Sequence, residues 1–206
     1  LNFTISPGEV TLISGTNGCG KSTVASLICK DLEPTEGKIT IGGTNLSTIS
    51  FDCWRNIIGY IEQSPYLFNS TILENITCEE GTENIDKVLN ICYKVGLLPL
   101  IEKLPMGLLT KVGNNGNALS GGECKKICIA RAIYKNPQIY IFDEPDAHLD
   151  IKSRKEIGNI IKELKNQNKH IVLISHNMEG FELANKTIVI ESNCSSGNLP
   201  CTDSAG

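Results

Sequence analysis

The stretch GTNGCGKST, residues 15–23, decides the fold of this chain. Its first eight residues fit the pattern G-x-x-x-x-G-K-[ST] in full, between a β-branched run at 10–14 and a helical pattern that begins at Lys21. Glycines let such a loop curl until backbone N–H groups point at a phosphate, while Lys21 reaches the β- and γ-oxygens and Ser22 ligates Mg²⁺. We therefore predict a nucleoside triphosphate site. Its predicted binding residues are Gly15, Thr16, Asn17, Gly18, Cys19, Gly20, Lys21, Ser22 and Thr23.

Two adjacent acidic residues follow a second stretch with the pattern of a buried strand. The apolar run IYIF at 139–142 leads directly into Asp143 and Glu144. Beside the phosphate loop, Asp143 is predicted to hold Mg²⁺, directly or through water. Glu144 would then point toward the γ-phosphate, where hydrolysis needs a base or a group that orients water. The alternative is an acidic helix N-terminus, which the helix dipole favours.

Strand and helix patterns alternate in an order that predicts a parallel α/β sheet with a helical insertion. Strand patterns occur at 1–5, 10–14, 38–43, 56–63, 138–145, 170–176 and 187–191, and helical patterns prevail from 71 to 134. The last stretch, from about 193 to 206, is small, polar and aperiodic, which indicates a flexible or non-native tail.

The composition excludes several classes of protein. The 19 basic and 23 acidic residues leave a net charge of −4, so nucleic acid is not an expected partner. The longest apolar runs, IYIF and GLLPLI, are far shorter than the roughly 20 residues of a membrane span, and LNFTIS at the start is not a signal peptide. Nine scattered cysteines without a C-x-x-C pair indicate reduced cytosolic thiols rather than disulfides or zinc.

Further motifs resemble the ATPase domain of the ATP-binding-cassette (ABC) family over about residues 1–192. LSGGE at 119–123 resembles the signature LSGGQ with Glu in the last place, and IARA at 129–132 continues it. Gln63 follows the strand IGYIE as the Q-loop glutamine does, and His176 ends a strand as the switch histidine does. DAHLD at 146–150 resembles the D-loop, from which His148 departs.

The resemblance implies a P-loop NTPase (RecA-like) core with a parallel sheet, a small antiparallel β subdomain and an inserted α-helical subdomain. It implies a first core part with the β subdomain at 1–63, a helical subdomain at 64–136 and a second core part at 137–192. The implied catalytic residues are Glu144, His176 and Gln63, and the implied metal ligands are Ser22, Gln63 and Asp143. The implied D-loop residues are Ala147, His148, Leu149 and Asp150.

In this family two domains stack head to tail, and the signature of one covers the ATP held by the other. The resemblance therefore implies a domain that binds and hydrolyses MgATP and drives substrate export by ATP-dependent head-to-tail dimerisation with an identical or different second domain. The signature residues that would act in trans are Leu119, Ser120, Gly121, Gly122 and Glu123.

Two stretches resemble ABC exporters in particular: QSPYLFNSTILENI at 63–76 and LPMGLLTKVGNNG at 104–116. They imply a surface for transmembrane domains, expected in the same polypeptide, at Tyr66, Leu67, Phe68 and the loop 110–116. The domain is thus expected at the cytoplasmic face of a membrane, and soluble when isolated. The aromatic residue that stacks on adenine in this family is expected upstream of residue 1.

Three alternative functions are possible for a chain with a phosphate loop, and each conflicts with a feature of this sequence. A soluble ABC ATPase of the coiled-coil class is excluded because only 99 positions (120 − 21) separate Lys21 from Ser120, and the exporter-like stretches disfavour other soluble classes. A regulatory module that binds ATP without hydrolysis would not need Glu144 and His176. A P-loop kinase or GTPase has no role for the signature, and the sequence has no N-K-x-D element.

Overall fold

The computed structural model describes residues 1–78, 84–113, 116, 119–147, 149–175 and 182–191. His148, His176 and the predicted tail at 193–206 lie outside the described residues. The described helices are α1 (Lys21–Cys29), α2 (Phe51–Ile57), α3 (Ile72–Thr77), α4 (Ile85–Lys94), α5 (Leu98–Lys103), α6 (Gly121–Lys135) and α7 (Ile151–Asn166). The described strands are β1 (Val10–Gly15), β2 (Thr40–Ile41), β3 (Thr44–Asn45), β4 (Ile58–Ile61), β5 (Ile139–Asp143), β6 (His170–Ile174) and β7 (Lys186–Ile190).

A parallel sheet forms the centre of the fold. Within the described ranges, five strands pair in the order β4-β5-β6-β1-β7, and every pair is parallel. Side chains alternate between two apolar layers, as the strand period of two requires. Tyr140 and Phe142 of β5 pack with α6 and α7, whereas Ile141 faces the layer of α1 and Trp54. The predicted α/β class with a parallel sheet is confirmed.

The small antiparallel sheet is a hairpin of β2 and β3. Its two-residue turn is Gly42-Gly43, with φ values of 54° and 84°. Positive φ at both central residues of a hairpin is tolerated by glycine because it lacks Cβ. The predicted antiparallel β element is therefore present.

The segment between β4 and β5 is mainly helical, as predicted. Thr71 opens α3 and Ser120 opens α6, each with a capping box in which the N3 glutamate bonds back to the cap. In the part of the chain that is described, no helix has the length and apolarity needed to cross a bilayer.

Three strand predictions need correction. Residues 1–5 form no strand; Phe3 and Ile5 instead pack as half-buried side chains against the cluster that contains Trp54. The strand predicted at 38–43 shrinks to Thr40–Ile41. The strand predicted at 56–63 begins only at Ile58, because α2, capped by the Ser50 hydroxyl, occupies 51–57.

Candidate functional site

The candidate site lies at the carboxyl ends of the central parallel strands. β1 ends at Gly15 and leads into the phosphate loop, and β5 ends at Asp143. Asp143 is in register with Ile174 of β6, which is in register with Ile13 of β1. The sheet therefore brings two segments that are over a hundred residues apart in sequence to one edge, where parallel α/β sheets bind their ligands.

The phosphate loop ends in a helix N-terminus that is free to bind an anion. Gly20 caps α1 with a φ of 103°, a value that favours glycine, and it supplies no side-chain hydrogen bond. The first turn of α1 contains no acidic residue. The helix dipole and the N–H groups of the first turn thus remain available for a negative ligand.

Lys21, the first residue of α1, reaches back to the start of this loop. Its side chain is buried, and its ammonium donates to the carbonyl oxygens of Gly15 at 2.9 Å and Thr16 at 3.0 Å. An ammonium has three donors, so one N–H is left for a phosphate oxygen while the other two hold the loop closed around the lysine.

A cavity of about 420 Å³ unites the predicted residues of the loop, the Q-loop and the acidic strand end. It is lined by Asn17, Gly18, Gly20, Lys21, Ser22, Thr23, Gln63, Asp143 and Glu144. The loop therefore presents N–H groups, a hydroxyl and an ammonium to the cavity, while Gln63 and the strand end add an amide and two carboxylates. Anionic phosphates can approach these carboxylates only with a cation between them, and the hydroxyl, amide and carboxylate oxygens are the hard donors that Mg²⁺ prefers. The donor set thus fits Mg²⁺ bound together with a nucleotide.

Asp143 is a buried carboxylate whose orientation is fixed by a neighbouring strand. Tyr60 of β4 donates its hydroxyl proton to Asp143 Oδ2 at 3.0 Å. Burial raises the pKa of Asp143, and the Tyr60 hydrogen bond and the charges of Lys125 and Lys21 oppose that shift. Burial, followed by the charge of Asp143, also raises the pKa of Tyr60, so the phenol remains a donor at neutral pH.

Glu144 adopts a backbone conformation that is rare for its residue type. Its φ is 45°, in the left-handed region, where a residue with Cβ is strained by roughly 1–2 kcal/mol. The residue is buried, and its N–H donates to the Ile174 carbonyl at 2.9 Å, which holds this conformation at the end of β6. Strain of this kind is concentrated at functional positions.

The signature segment forms the N-terminus of α6, apart from the lining of the cavity. The Ser120 hydroxyl and N–H both donate to Glu123 Oε2 at 2.7 Å, so the glutamate that replaces glutamine completes the cap. In the D-loop, Leu149 is buried and Asp150 caps α7 by accepting from the Ser153 N–H at 2.7 Å. Hydrogen bonds from Ser153 lower the pKa of Asp150, which therefore stays an anionic cap.

Two residues at the site, Tyr60 and Lys125, were not predicted. Lys125 is buried, and its ammonium donates to the carbonyl oxygens of Glu62, Gln63 and Asp143 at 2.6, 3.3 and 3.0 Å. Burial lowers the pKa of Lys125 to about 8. Helical periodicity could have indicated it, because Lys125 precedes the buried Ile129 by four residues and so shares its face.

The two exporter-like stretches lie side by side. Ile72 N–H donates to the Thr110 carbonyl and Val112 N–H to the Ser70 carbonyl, both at 3.0 Å. Tyr66 and Phe68 are 57% and 47% exposed and pack edge to face. Leu67 is a correction, since it was expected on this surface but is buried in the core between them.

Comparisons with known proteins agree with this geometry. A family model described as ABC transporter matches residues 1–147. The chain is 36% identical to the ATP-dependent lipid A-core flippase of Saccharophagus degradans, over 93% of this chain and 33% of that protein. It is 35% identical to the mitochondrial iron-sulfur clusters transporter ATM1 of Saccharomyces cerevisiae, over 93% of this chain and 28% of that one.

A solved structure gives the same result. The structure of a bacterial Atm1-family ABC exporter with ATP bound superposes with a TM-score of 0.87 at 30% identity, covering 93% of this chain and 33% of that one. The chain therefore spans about a third of the length of these similar proteins.

Proposed function

This chain belongs to the ABC transporter family, as an exporter-type ATPase domain, and on that premise we propose that it binds MgATP, hydrolyses it and drives export through membrane-spanning domains. The observation that carries the proposal is the cavity in which Lys21, Ser22, Gln63, Asp143 and Glu144 meet. The phosphate loop alone would not distinguish ATP hydrolysis from simple anion binding, whereas the loop and the strand-end acids together supply a phosphate cradle and acidic groups in one cavity.

Phosphoryl transfer to water needs neutralised γ-phosphate charge and a positioned nucleophile. The helix N-terminus and the remaining Lys21 donor would bind the phosphate oxygens. Ser22, Gln63 and Asp143 would hold Mg²⁺, which supplies charge neutralisation when bound. Glu144, buried and fixed at the strand end, would accept the proton of the attacking water or orient it. His176, outside the described residues, is proposed to contact the γ-phosphate.

We also propose that the site is completed by a second ABC ATPase domain. The signature lies at the N-terminus of α6 and does not line the cavity of its own chain, so it is placed to serve another molecule. Ser120 and Gly122 would bind the γ-phosphate of the partner's nucleotide, and the D-loop would lie at the same interface. ADP lacks that phosphate and would hold the dimer poorly.

The exposed Tyr66 and Phe68 are proposed to receive the transmembrane domains at the cytoplasmic face of a membrane. An edge-to-face aromatic pair at the surface presents apolar area that a partner can cover. The division into 1–63, 64–136 and 137–192 remains our proposal for the units that move during this coupling.

Phosphate release from MgATP tests the proposal. The full chain should hydrolyse ATP, and Lys21→Ala should lower kcat/KM by at least roughly 100-fold, because it removes the loop cation. Lys162→Ala, an exposed lysine of α7, is the matched control and should keep the wild-type rate. If the folded wild-type chain shows no Mg²⁺-dependent ATP hydrolysis at any protein concentration, the proposal that it hydrolyses ATP is refuted.

A further inference from the structure

Lys125 is a buried cation that contacts only backbone oxygen atoms within hydrogen-bonding distance. It is 2% exposed, and its three N–H donors are matched by the three carbonyls of Glu62, Gln63 and Asp143. None of the ion pairs among the described residues includes Lys125. Burying a charge is costly unless the group is fully hydrogen-bonded, so these three contacts are the reason it can remain there.

The three carbonyls lie just beyond the paired residues of β4 and β5, where strand pairing no longer connects these two segments. The last pair between β4 and β5 is Ile61 with Phe142, so Glu62, Gln63 and Asp143 lie one or two residues beyond that pair. Lys125 replaces the missing cross-strand hydrogen bonds with bonds from one ammonium. It fixes the distance between the Gln63 backbone and the Asp143 backbone, which carry two of the proposed metal ligands.

The same side chain extends from the second turn of α6, whose N-terminus is the signature segment. We propose that Lys125 is a positioning residue that holds Gln63 and Asp143 in the geometry for Mg²⁺ and couples them to the signature segment 120–123. This inference rests on the proposed function. Through Lys125, a shift of the Gln63 segment in one half-site moves the helix that would serve the other half-site.

The phosphate loop makes none of these contacts, which separates positioning from nucleotide binding. Lys21 and the N-terminus of α1 are held by Gly15, Thr16 and Gly20. Loss of the Lys125 ammonium should therefore leave MgATP affinity nearly unchanged while it impairs the metal and the chemical step. Residues behind metal ligands typically change affinity or activity by about 10–100-fold.

Lys135 offers a matched control on the same helix. At the C-terminal end of α6, its ammonium donates to the carbonyls of Arg55 at 2.6 Å and Ile58 at 3.0 Å, near the start of β4. It makes the same kind of bond to backbone carbonyls, but at the start of β4, remote from the cavity, whereas Lys125 bonds just beyond the end of β4. Lys125→Met and Lys135→Met therefore differ mainly in which end of β4 is released.

The experiment measures kcat, the half-saturating Mg²⁺ concentration and the Kd for a fluorescent ATP analogue in the full chain. For Lys125→Met we expect a kcat at least roughly 10-fold lower, an Mg²⁺ requirement several-fold higher and a Kd within about 2-fold of wild type. Lys125→Gln, which keeps one donor group, should recover part of both losses. Lys135→Met should change neither kinetic value.

A Lys125→Met protein that keeps the wild-type kcat and Mg²⁺ requirement overturns the inference, while the proposed ATPase activity stands if Lys21→Ala is inactive. Equal losses of kcat in Lys125→Met and Lys135→Met overturn the inference as well. Failure of both Lys125 variants to fold also overturns it, since each of these results indicates a merely structural lysine. If the folded wild-type chain does not hydrolyse ATP, the proposed function fails and this inference fails with it.

Discussion

Replacing Asn75 by alanine should destabilise the protein severely, although Asn75 is outside the cavity. The residue is fully buried in α3, and all of its side-chain hydrogen-bonding capacity is used. Its Oδ1 accepts from Phe68 N–H at 2.8 Å and from Arg131 Nη2 at 2.9 Å, and its Nδ2 donates to the carbonyls of Phe68 at 3.0 Å and Thr71 at 2.9 Å. One amide thus fixes the loop that presents Tyr66 and Phe68.

The expected cost follows from these four bonds. Each contributes about 1 kcal/mol net, and the bond from the Arg131 guanidinium contributes somewhat more because it is charged. Asn75→Ala removes all four hydrogen bonds and leaves the partner groups without this side chain. We therefore expect the free energy of unfolding to fall by about 4 kcal/mol. That is a large share of the roughly 5–15 kcal/mol that stabilises a typical domain.

Urea unfolding followed by circular dichroism measures this loss. Asn90→Ala, an exposed asparagine of α4, is the control and should change the unfolding free energy by no more than about 0.5 kcal/mol. MgATP affinity below the unfolding transition should stay within about 2-fold of wild type, because the loop at 66–71 does not line the cavity. A loss under about 1 kcal/mol would refute the assignment of Asn75 as the residue that fixes this loop.

Three further changes have defined outcomes. A Cβ on Gly15 would lie 2.4 Å from the Ile190 carbonyl oxygen, so Gly15→Ala should weaken MgATP binding by at least roughly 10-fold in a fluorescence titration. The control is Gly158→Ala, which should leave MgATP binding unchanged because its Cβ meets only Leu183 at 3.9 Å. Alkylation of the half-exposed Cys19 should block nucleotide binding, and prior ATP should slow the reaction; labelled protein that binds ATP normally would contradict this. Burial raises the pKa of Cys92 to about 12 from an ordinary 9.0, so the folded state keeps a proton that the unfolded state loses above pH 9. The difference in unfolding free energy between wild type and Cys92→Ala, measured by urea unfolding with reductant, should therefore be constant below pH 9. Above pH 9 the wild type should lose up to about 1.4 kcal/mol of this difference per pH unit. A difference that stays constant above pH 9 would exclude this linkage.

Local patterns were sufficient to predict the elements of the site that are contiguous in sequence. The phosphate loop, the strand that ends at Asp143 and the serine cap of α6 each combine a motif with its own strand or helix boundary. Their meeting at one edge follows from parallel pairing alone. The family resemblance added Gln63, which the structure places in the same cavity. The roles of His176 and His148 stay predictions.

The remaining features depend on contacts between distant segments, and a single sequence does not show such contacts. Tyr60 meets Asp143, 83 positions away, only because β4 and β5 are neighbours. Lys125 shares a helix face with the buried Ile129, but its three carbonyl partners become evident only when the helix is packed against the sheet. Leu67 is buried between two exposed aromatic residues because the loop turns its side chain inward. Residues 1–5 have strand composition but pack Phe3 and Ile5 against an apolar cluster instead of pairing.

The most direct test of the central claim is the molar mass of Glu144→Gln in MgATP, by gel filtration with light scattering. The substitution removes the proposed base but keeps the cavity, so ATP should persist and hold two chains together at twice the monomer mass of 22.4 kDa. With ADP, or with Gly122→Asp added, the mass should return to that of the monomer. A Glu144→Gln protein that binds MgATP and yet remains monomeric at every concentration would contradict the claim that two chains share each nucleotide.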